Sequence, residues 1–227
     1  VQGQCSSFFE DDWAAGERSM RRAVELTPND ALAQTYLALL LMMRQNWAEA
    51  SERARTALRL DPLSPANTVW AGIVLLFSGQ PVEGLSVIER QVAITPDLWM
   101  PCYWLSVGLA SGGRFDEART AAEKALELTG GTSLTQCNLA LICYQLADGQ
   151  AGDALFDRLR QRANEGYVSH MFLAWLHLAR GEPDAALICA KEALAAKDPW
   201  LGTHRVYSPT LVPGDPRVDD LVAGVFR

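Results

Sequence analysis

The stretch Ala31-Leu-Ala-Gln-Thr-Tyr-Leu-Ala-Leu-Leu-Leu-Met-Met-Arg44, followed by Gln45-Asn46 and by Trp47-Ala-Glu-Ala-Ser-Glu-Arg-Ala-Arg-Thr-Ala-Leu-Arg-Leu-Asp61-Pro62, decides the fold. It reads as two antiparallel helices joined by a tight turn and closed by a proline. Its columns recur every 34 residues along the chain. Pro28, Pro62 and Pro96 form one ladder, with Gly130 in the next place. Trp13, Trp47, Pro81 and Phe115 form a second. Gly16, Ala50, Gly84 and Ala118 form a third, and Ala23, Ala57, Gln91 and Ala125 a fourth. A fixed period of this length is the signature of stacked helical repeats, in which each unit buries its apolar face on its neighbour.

Composition narrows the function classes. At 49% hydrophobic and 21% charged residues, the 227-residue chain has ample material for a core. A net charge of −7 argues against nucleic acid, whose phosphates call for concentrated Lys and Arg, and against anionic membrane surfaces. The longest apolar runs, residues 36–43 and 105–110, are too short to span a bilayer, and no signal peptide is visible. Cys5, Cys102, Cys137, Cys143 and Cys189 are odd in number and scattered through helical patterns. They read as reduced, small apolar residues of a cytoplasmic protein rather than a disulfide framework. The chain begins at Val1 in mid-pattern, as expected for a piece of a longer protein.

The period divides residues 1–199 into units of about 1–30, 31–64, 65–98, 99–132, 133–166 and 167–199. Residues 200–227 are left as a loop with a capping helix near 216–226, in which Leu221, Val222 and Val225 are placed to pack on the open end. Asp11-Asp12 precede the helix that opens at Trp13, and Pro81 suits a first helical position. Ser133 is the expected N-cap of the first helix of unit five. Within that unit, Asp148-Gly-Gln-Ala-Gly-Asp153 reads as a turn lengthened by about two residues, with the second helix over 154–163 and the register slipped. Unit six starts at Tyr167.

On these columns the chain resembles the tetratricopeptide-repeat family. The family pattern wants a small residue in the first helix, here Ala38, Gly72, Ser106, Ala140 and Ala174, preceded by an apolar one. It wants small residues where helices cross closely in the second, here Ala50, Ala118, Ala57, Ala125 and Ala193. Small side chains let helix axes approach to about 8–10 Å. The departures are Gln91, unit five, and Leu41, Leu75, Leu109, Cys143 and His177 in a column that is often aromatic. The resemblance implies an all-α, right-handed α-solenoid of about six helix-turn-helix units. A narrower similarity joins Asp12-Trp13-Ala14-Ala15-Gly16-Glu17, Tyr167-Val168-Ser169, Asp198-Pro199-Trp200-Leu201 and Asp215-Pro216-Arg217 to the C-terminal repeat regions of bacterial signalling proteins. In those proteins the repeats follow a winged-helix regulator, a nucleotide cyclase or a kinase.

No catalytic constellation appears, so the fragment itself is not expected to be an enzyme, and no cofactor or metal is expected. His170 and His177 are two helical turns apart, about 10.5 Å, too far to share a metal; they read as surface or interface residues. His204 lies in a loop with no acidic partner nearby in sequence. Cys137 and Cys143 lack zinc-ligand spacing and read as core. The arginines at 18, 21, 22, 53, 55, 59, 158, 160 and 162 alternate with Glu and Asp on second helices and read as a solvated face.

The family resemblance places ligands on the groove lined by first helices. Carried over, the partner-binding residues are Leu32, Thr35, Leu39, Met43, Val69, Ile73, Phe77, Tyr103, Val107, Leu141, Tyr144 and Trp175. This set is apolar and lacks the Lys and Asn clamp by which chaperone-binding members hold a peptide carboxylate. A helix that is apolar all round should be buried on every side. Either a protein or peptide segment, the chain's own 200–227 tail or a second copy fills the groove, or tight curvature of the array covers it. The function expected is a protein-interaction or regulatory module of a longer signalling or transcription-regulatory protein. The alternative is a small-ligand sensor with a pocket near Tyr103, Tyr144 and Trp175.

Overall fold

A computed structural model describes residues 13–205 and 211–225. Among these residues there are twelve α-helices and no strand: α1 (Trp13–Leu26), α2 (Ala31–Met43), α3 (Trp47–Leu60), α4 (Pro65–Phe77), α5 (Pro81–Ile94), α6 (Trp99–Ser111), α7 (Phe115–Thr129), α8 (Ser133–Gln145), α9 (Gly149–Glu165), α10 (His170–Ala179), α11 (Pro183–Ala195) and α12 (Pro216–Gly224). They fall into two compact units, the first running to Pro96 and the second from Asp97 to Val225. The expectations for residues 1–12 and for the end of the last helix lie outside the described residues.

The helix starts carry the period. Helices α1, α3, α5, α7, α9 and α11 begin at residues 13, 47, 81, 115, 149 and 183, each 34 after the last. The turns before five of them are built alike. Gln45, Gly79, Gly113, Ala147 and Gly181 all take positive φ, from 58° to 82°. In each, the next amide donates to the carbonyl five residues back: Asn46 to Leu41, Gln80 to Leu75, Arg114 to Leu109, Asp148 to Cys143 and Glu182 to His177. This left-handed residue with its 6→1 bond satisfies the last carbonyls of the first helix and reverses the chain.

Unit five therefore keeps its register, which corrects the expected slip. Helix α9 begins at Gly149, and the Asp148 carboxylate caps it by accepting from the Ala151 amide. The Gly and Asp residues over 148–153 suggest a longer turn, but the capping bond and the left-handed Ala147 place them on the helix. Two smaller corrections follow. The N-cap of α8 is Thr132 rather than Ser133. Helix α10 starts at His170, not Tyr167, because Ser169 Oγ donates to the Asp198 carboxylate, 2.8 Å away, and holds that segment out of the helix.

In the first unit α2 packs on α3, α4 on α5, and α2 lies beside α4. Helices α4 and α5 approach closely at Gly72 and Gly84. A Cβ on Gly84 would sit 2.4 Å from the Leu76 nitrogen and 2.5 Å from the Gly72 carbonyl oxygen, so only glycine fits. In the second unit the pairs are α6 with α7, α8 with α9 and α10 with α11, with α8 beside α10. Helix α12 packs on α11. It buries Val218 and Val222, while Leu221 and Val225 are only half-buried, so Val218 takes one of the packing places expected of them.

Candidate functional site

The candidate surface is the face made by the first helices of each pair. In the first unit this is α2 and α4. Helix α2 is started by Asp30, whose carboxylate accepts from the amides of Leu32 and Ala33, and α4 by Ser64. Both helices are apolar around most of their circumference, and the chain itself covers them. Thr35, Leu39, Met43, Val69 and Ile73 are buried, and Phe77 is half-buried. Thr35 Oγ1 bonds the Ala31 carbonyl and lies 3.4 Å from Asn67 Oδ1, which puts the N-terminal ends of α2 and α4 side by side. At that end the apolar surface opens. Leu32 on α2 is 46% exposed, Ala66 on α4 is exposed, and Leu63 in the turn before α4 is 84% exposed.

In the second unit Tyr103, Val107, Leu141 and Trp175 are buried, and Tyr144 is half-buried. The three aromatic residues of the pocket alternative are committed to separate partners. The Tyr144 hydroxyl donates to Asp153 Oδ1 at 2.8 Å, and burial followed by that carboxylate holds its pKa above the ordinary phenol value. Tyr103 packs edge-on against Trp99 and Trp104. Trp175 Nε1 donates to His204 Nδ1 at 2.9 Å. Nine of the twelve expected binding residues are thus buried, two are half-buried, and Leu32 alone is exposed.

The chain's C-terminal segment covers part of this face in the second unit. Gln145 Nε2 at the end of α8 donates to the Leu211 carbonyl at 3.1 Å, and Leu201, Leu211 and Val212 are buried. His204 is no bare loop residue. Its Nε2 lies 2.9 Å from Asp219 Oδ1 on α12, an acidic partner fifteen residues downstream that its sequence neighbourhood does not disclose. Two of the pairings behind the narrower signalling resemblance lie in this unit. Ser169 bonds Asp198, Asp198 accepts from the Trp200 amide, and Arg217 bridges Asp215 to Asp184. A second polar link joins α8 to α6: Asn138 Nδ2 donates to Ser106 Oγ at 2.6 Å, and Ser106 donates to the Tyr103 carbonyl.

The second helices carry the charge. Arg21 grips both Glu49 oxygens at 2.6 and 2.7 Å, and one repeat later Arg55 grips Glu83 at 3.0 and 2.6 Å. Arg119 makes a single bond, Nη1 to Asp148 Oδ2, at 3.0 Å. The guanidinium partners hold Glu49 and Glu83 below the usual carboxylate range. Of the arginines expected on a solvated face, Arg21 and Arg55 are tied to acids on the next repeat, and Arg22, Arg53 and Arg160 to acids on their own helices. His170 and His177 face Glu192 and Glu182. Burial raises the Cys137 and Cys143 thiols, as suits core residues. Among the described residues no three His, Cys, Asp or Glu side chains gather to hold a metal ion. No described helix is long and apolar enough to cross a membrane.

Two family profiles, both described as tetratricopeptide repeat, match the chain, one over residues 9–89 and the other over 99–124 and 167–187. The chain is a tetratricopeptide-repeat protein. No curated protein sequence matches it. Solved tetratricopeptide-like structures do. PilW, a widely conserved type IV pilus biogenesis factor, is 18% identical, with 93% of this chain and 91% of that one covered and a TM-score of 0.63. A tetratricopeptide repeat protein from Parabacteroides merdae is 13% identical over 96% and 94%, with a TM-score of 0.60. PilF of Pseudomonas aeruginosa is 17% identical over 94% and 90%, at 0.56. At these identities the likeness is one of fold, and function has to be argued from the surface.

Proposed function

We propose that this tetratricopeptide-repeat chain is a binding scaffold that takes an apolar segment of a partner protein, or a second copy of itself, on the first-helix face of its first unit. The supporting observation is the open end of that face. Leu32 and Leu63 stand exposed at the adjoining ends of α2 and α4, while the residues beyond them are buried. An apolar partner side chain that covers both gains roughly 25 cal/mol per Å² removed from water. The buried majority of the groove residues supports these helices rather than meeting the partner directly. The small-ligand alternative has no comparable observation behind it, since Tyr144 and Trp175 spend their polar atoms within the chain.

The scaffold reading extends to context. The similarity of the C-terminal segments to signalling proteins supports a role as the regulatory array of a longer signalling or transcription-regulatory protein. The free Cys102, Cys137, Cys143 and Cys189 agree with a cytoplasmic setting. The arginine-carboxylate pairing of the second helices favours a protein over a nucleic-acid partner.

The test is the mass of the chain in solution, together with capture of amphipathic helical peptides from a display library. The wild type is expected to self-associate or to select apolar peptides, and the two outcomes separate the copy from the partner. Leu32→Glu with Leu63→Glu is expected to abolish either activity while leaving the far-ultraviolet helical signal unchanged, because both side chains are exposed. A monomer that selects no peptide, or a double variant that behaves as the wild type, overturns the reading.

A further inference from the structure

The bonding of His204 fixes its protonation state. The ring is buried, 1% exposed, and each nitrogen has a partner at 2.9 Å. An indole nitrogen can only donate, so His204 Nδ1 accepts from Trp175 and the single ring proton sits on Nε2, pointed at the Asp219 carboxylate. The neutral ring thus joins three elements: α10 through Trp175, the segment 201–205, and α12 through Asp219. A second proton would have to go on Nδ1. There it would place one N–H against another at the distance of the present bond. The charged ring can keep Asp219 as an ion pair, but it must give up Trp175.

We propose that His204 is a proton-operated latch that holds the C-terminal segment against Trp175 on the first-helix face of the second unit and releases that contact on acidification. Burial lowers the affinity of the ring for a proton, and Asp219 opposes this in part. The other charged groups nearby are engaged elsewhere or lie on the outer side. Asp198 is held by Ser169 and the Trp200 amide, and Arg217 of α12 by Asp215 and Asp184. His170 and His177 of α10 face Glu192 and Glu182, Asp220 is exposed, and Arg205 follows His204 in the same segment. A histidine whose folded pKa lies below its unfolded value supports the folded contact fully above about pH 6.5, and that support falls as the pH drops below it. The Gln145 bond to the Leu211 carbonyl and the packing of α12 on α11 do not titrate with His204, so release is local to Trp175. The latch does not depend on the partner-binding reading.

The indole N–H of Trp175 reports directly. Its nitrogen-15 and proton NMR signal in the whole chain, assigned by its loss in Trp175→Phe, is followed from pH 8 to pH 5. The wild type is expected to show a one-proton shift with its midpoint below about 6.5. Solvent protection should fall at least ten-fold across it after correction for intrinsic exchange. His204→Asn keeps an acceptor facing Trp175 and cannot take the proton, so its indole should stay protected at pH 5. Asp219→Asn should move the midpoint lower. Amide protection in α2–α5 should be flat throughout. If the wild-type indole signal and protection do not change between pH 8 and 5, or if His204→Asn loses protection over the same range, the latch is refuted. Should His204→Asn fail to fold, the wild-type titration decides alone.

Discussion

Replacing Gly84 with alanine should destabilise the first unit by about 2 kcal/mol, more than the same change at Gly72. The column that holds Gly84 holds Ala50 and Ala118 in the neighbouring repeats, and both are fully buried without strain. The difference lies opposite. Gly72 of α4 stands where Ala38 and Ser106 stand elsewhere, and α5 has closed in on it. An added Cβ would meet the Leu76 nitrogen at 2.4 Å, the Gly72 oxygen at 2.5 Å and the Leu76 Cα at 2.8 Å. All three are backbone atoms, so no rotamer change relieves the clash and the helices must part by about 1 Å. Overpacking costs about 1–3 kcal/mol where side chains can yield, and the upper end applies here. Alanine recovers about 1 kcal/mol of helix propensity over glycine, which leaves a net loss of about 2 kcal/mol. At Gly72 the nearest atom is Ile88 Cγ1, 2.7 Å away on a side chain that can turn aside. Gly72→Ala should therefore cost less, about 1 kcal/mol. Gly149 has nothing within 4 Å, so Gly149→Ala should be neutral or slightly stabilising. Urea unfolding with slopes held equal measures all three. A Gly84→Ala variant within about 0.5 kcal/mol of wild type, or one less damaging than Gly72→Ala, refutes the close-approach argument.

The left-handed turn residues give a prediction of opposite sign. Gln45 and Ala147 carry side chains at φ 62° and 58°, where Gly79, Gly113 and Gly181 stand in the other repeats. Relief of left-handed strain, about 1–2 kcal/mol, outweighs the added chain entropy of glycine, so Ala147→Gly and Gln45→Gly should each raise the urea midpoint. In the arginine ladder, a double-mutant cycle on Arg55 and Glu83 should give a coupling of about 0.5 kcal/mol that shrinks in high salt, because both side chains are about 40% exposed. Glu49 and Glu83 are held below their ordinary pKa. Their coupling should therefore be present above the unfolded carboxylate value, about pH 4.3, and disappear as the pH falls through the depressed values. The acid loss should shrink in the Arg21→Ala, Arg55→Ala variant, in which Arg53 still faces Glu49.

The parts legible in the sequence were those in which local chemistry and the 34-residue period agree. Pro81 and Pro183 at first helical positions, Asp30 and Ser64 as caps, and Gly79, Gly113 and Gly181 at left-handed turns all state their roles by residue type. Unit five misleads because three residues depart from type together. Ala147 takes a glycine's conformation, and Gly149 and Gly152 look like turn residues although they open a helix. The period is the better guide: it places a helix start at 149, two repeats after Pro81. The repeated turn bonds explain why, since every repeat must reverse its chain by the same geometry to stack on the next.

The binding surface was less legible, for a physical reason. An apolar face along α2 or α4 reports that something covers it, but the same residues serve a partner or the chain's own neighbouring helices. Only relative placement decides, and that is set by distances of a few ångströms, such as the Gly72–Gly84 approach, that no single column reveals. Trp175 shows the limit most clearly. Its place in the repeat makes it look ligand-facing, yet its indole meets His204, twenty-nine residues away, and His204 is fixed in turn by Asp219, a further fifteen along. Both links fall outside the 34-residue period, because they belong to the end of the array. There the last repeat has no successor, and a unique segment must supply the cover that a next repeat would give. A terminal cover that adds a titratable side chain to its apolar residues gives the C-terminal end of the second unit a sensitivity to protons that the apolar contacts between the repeats lack.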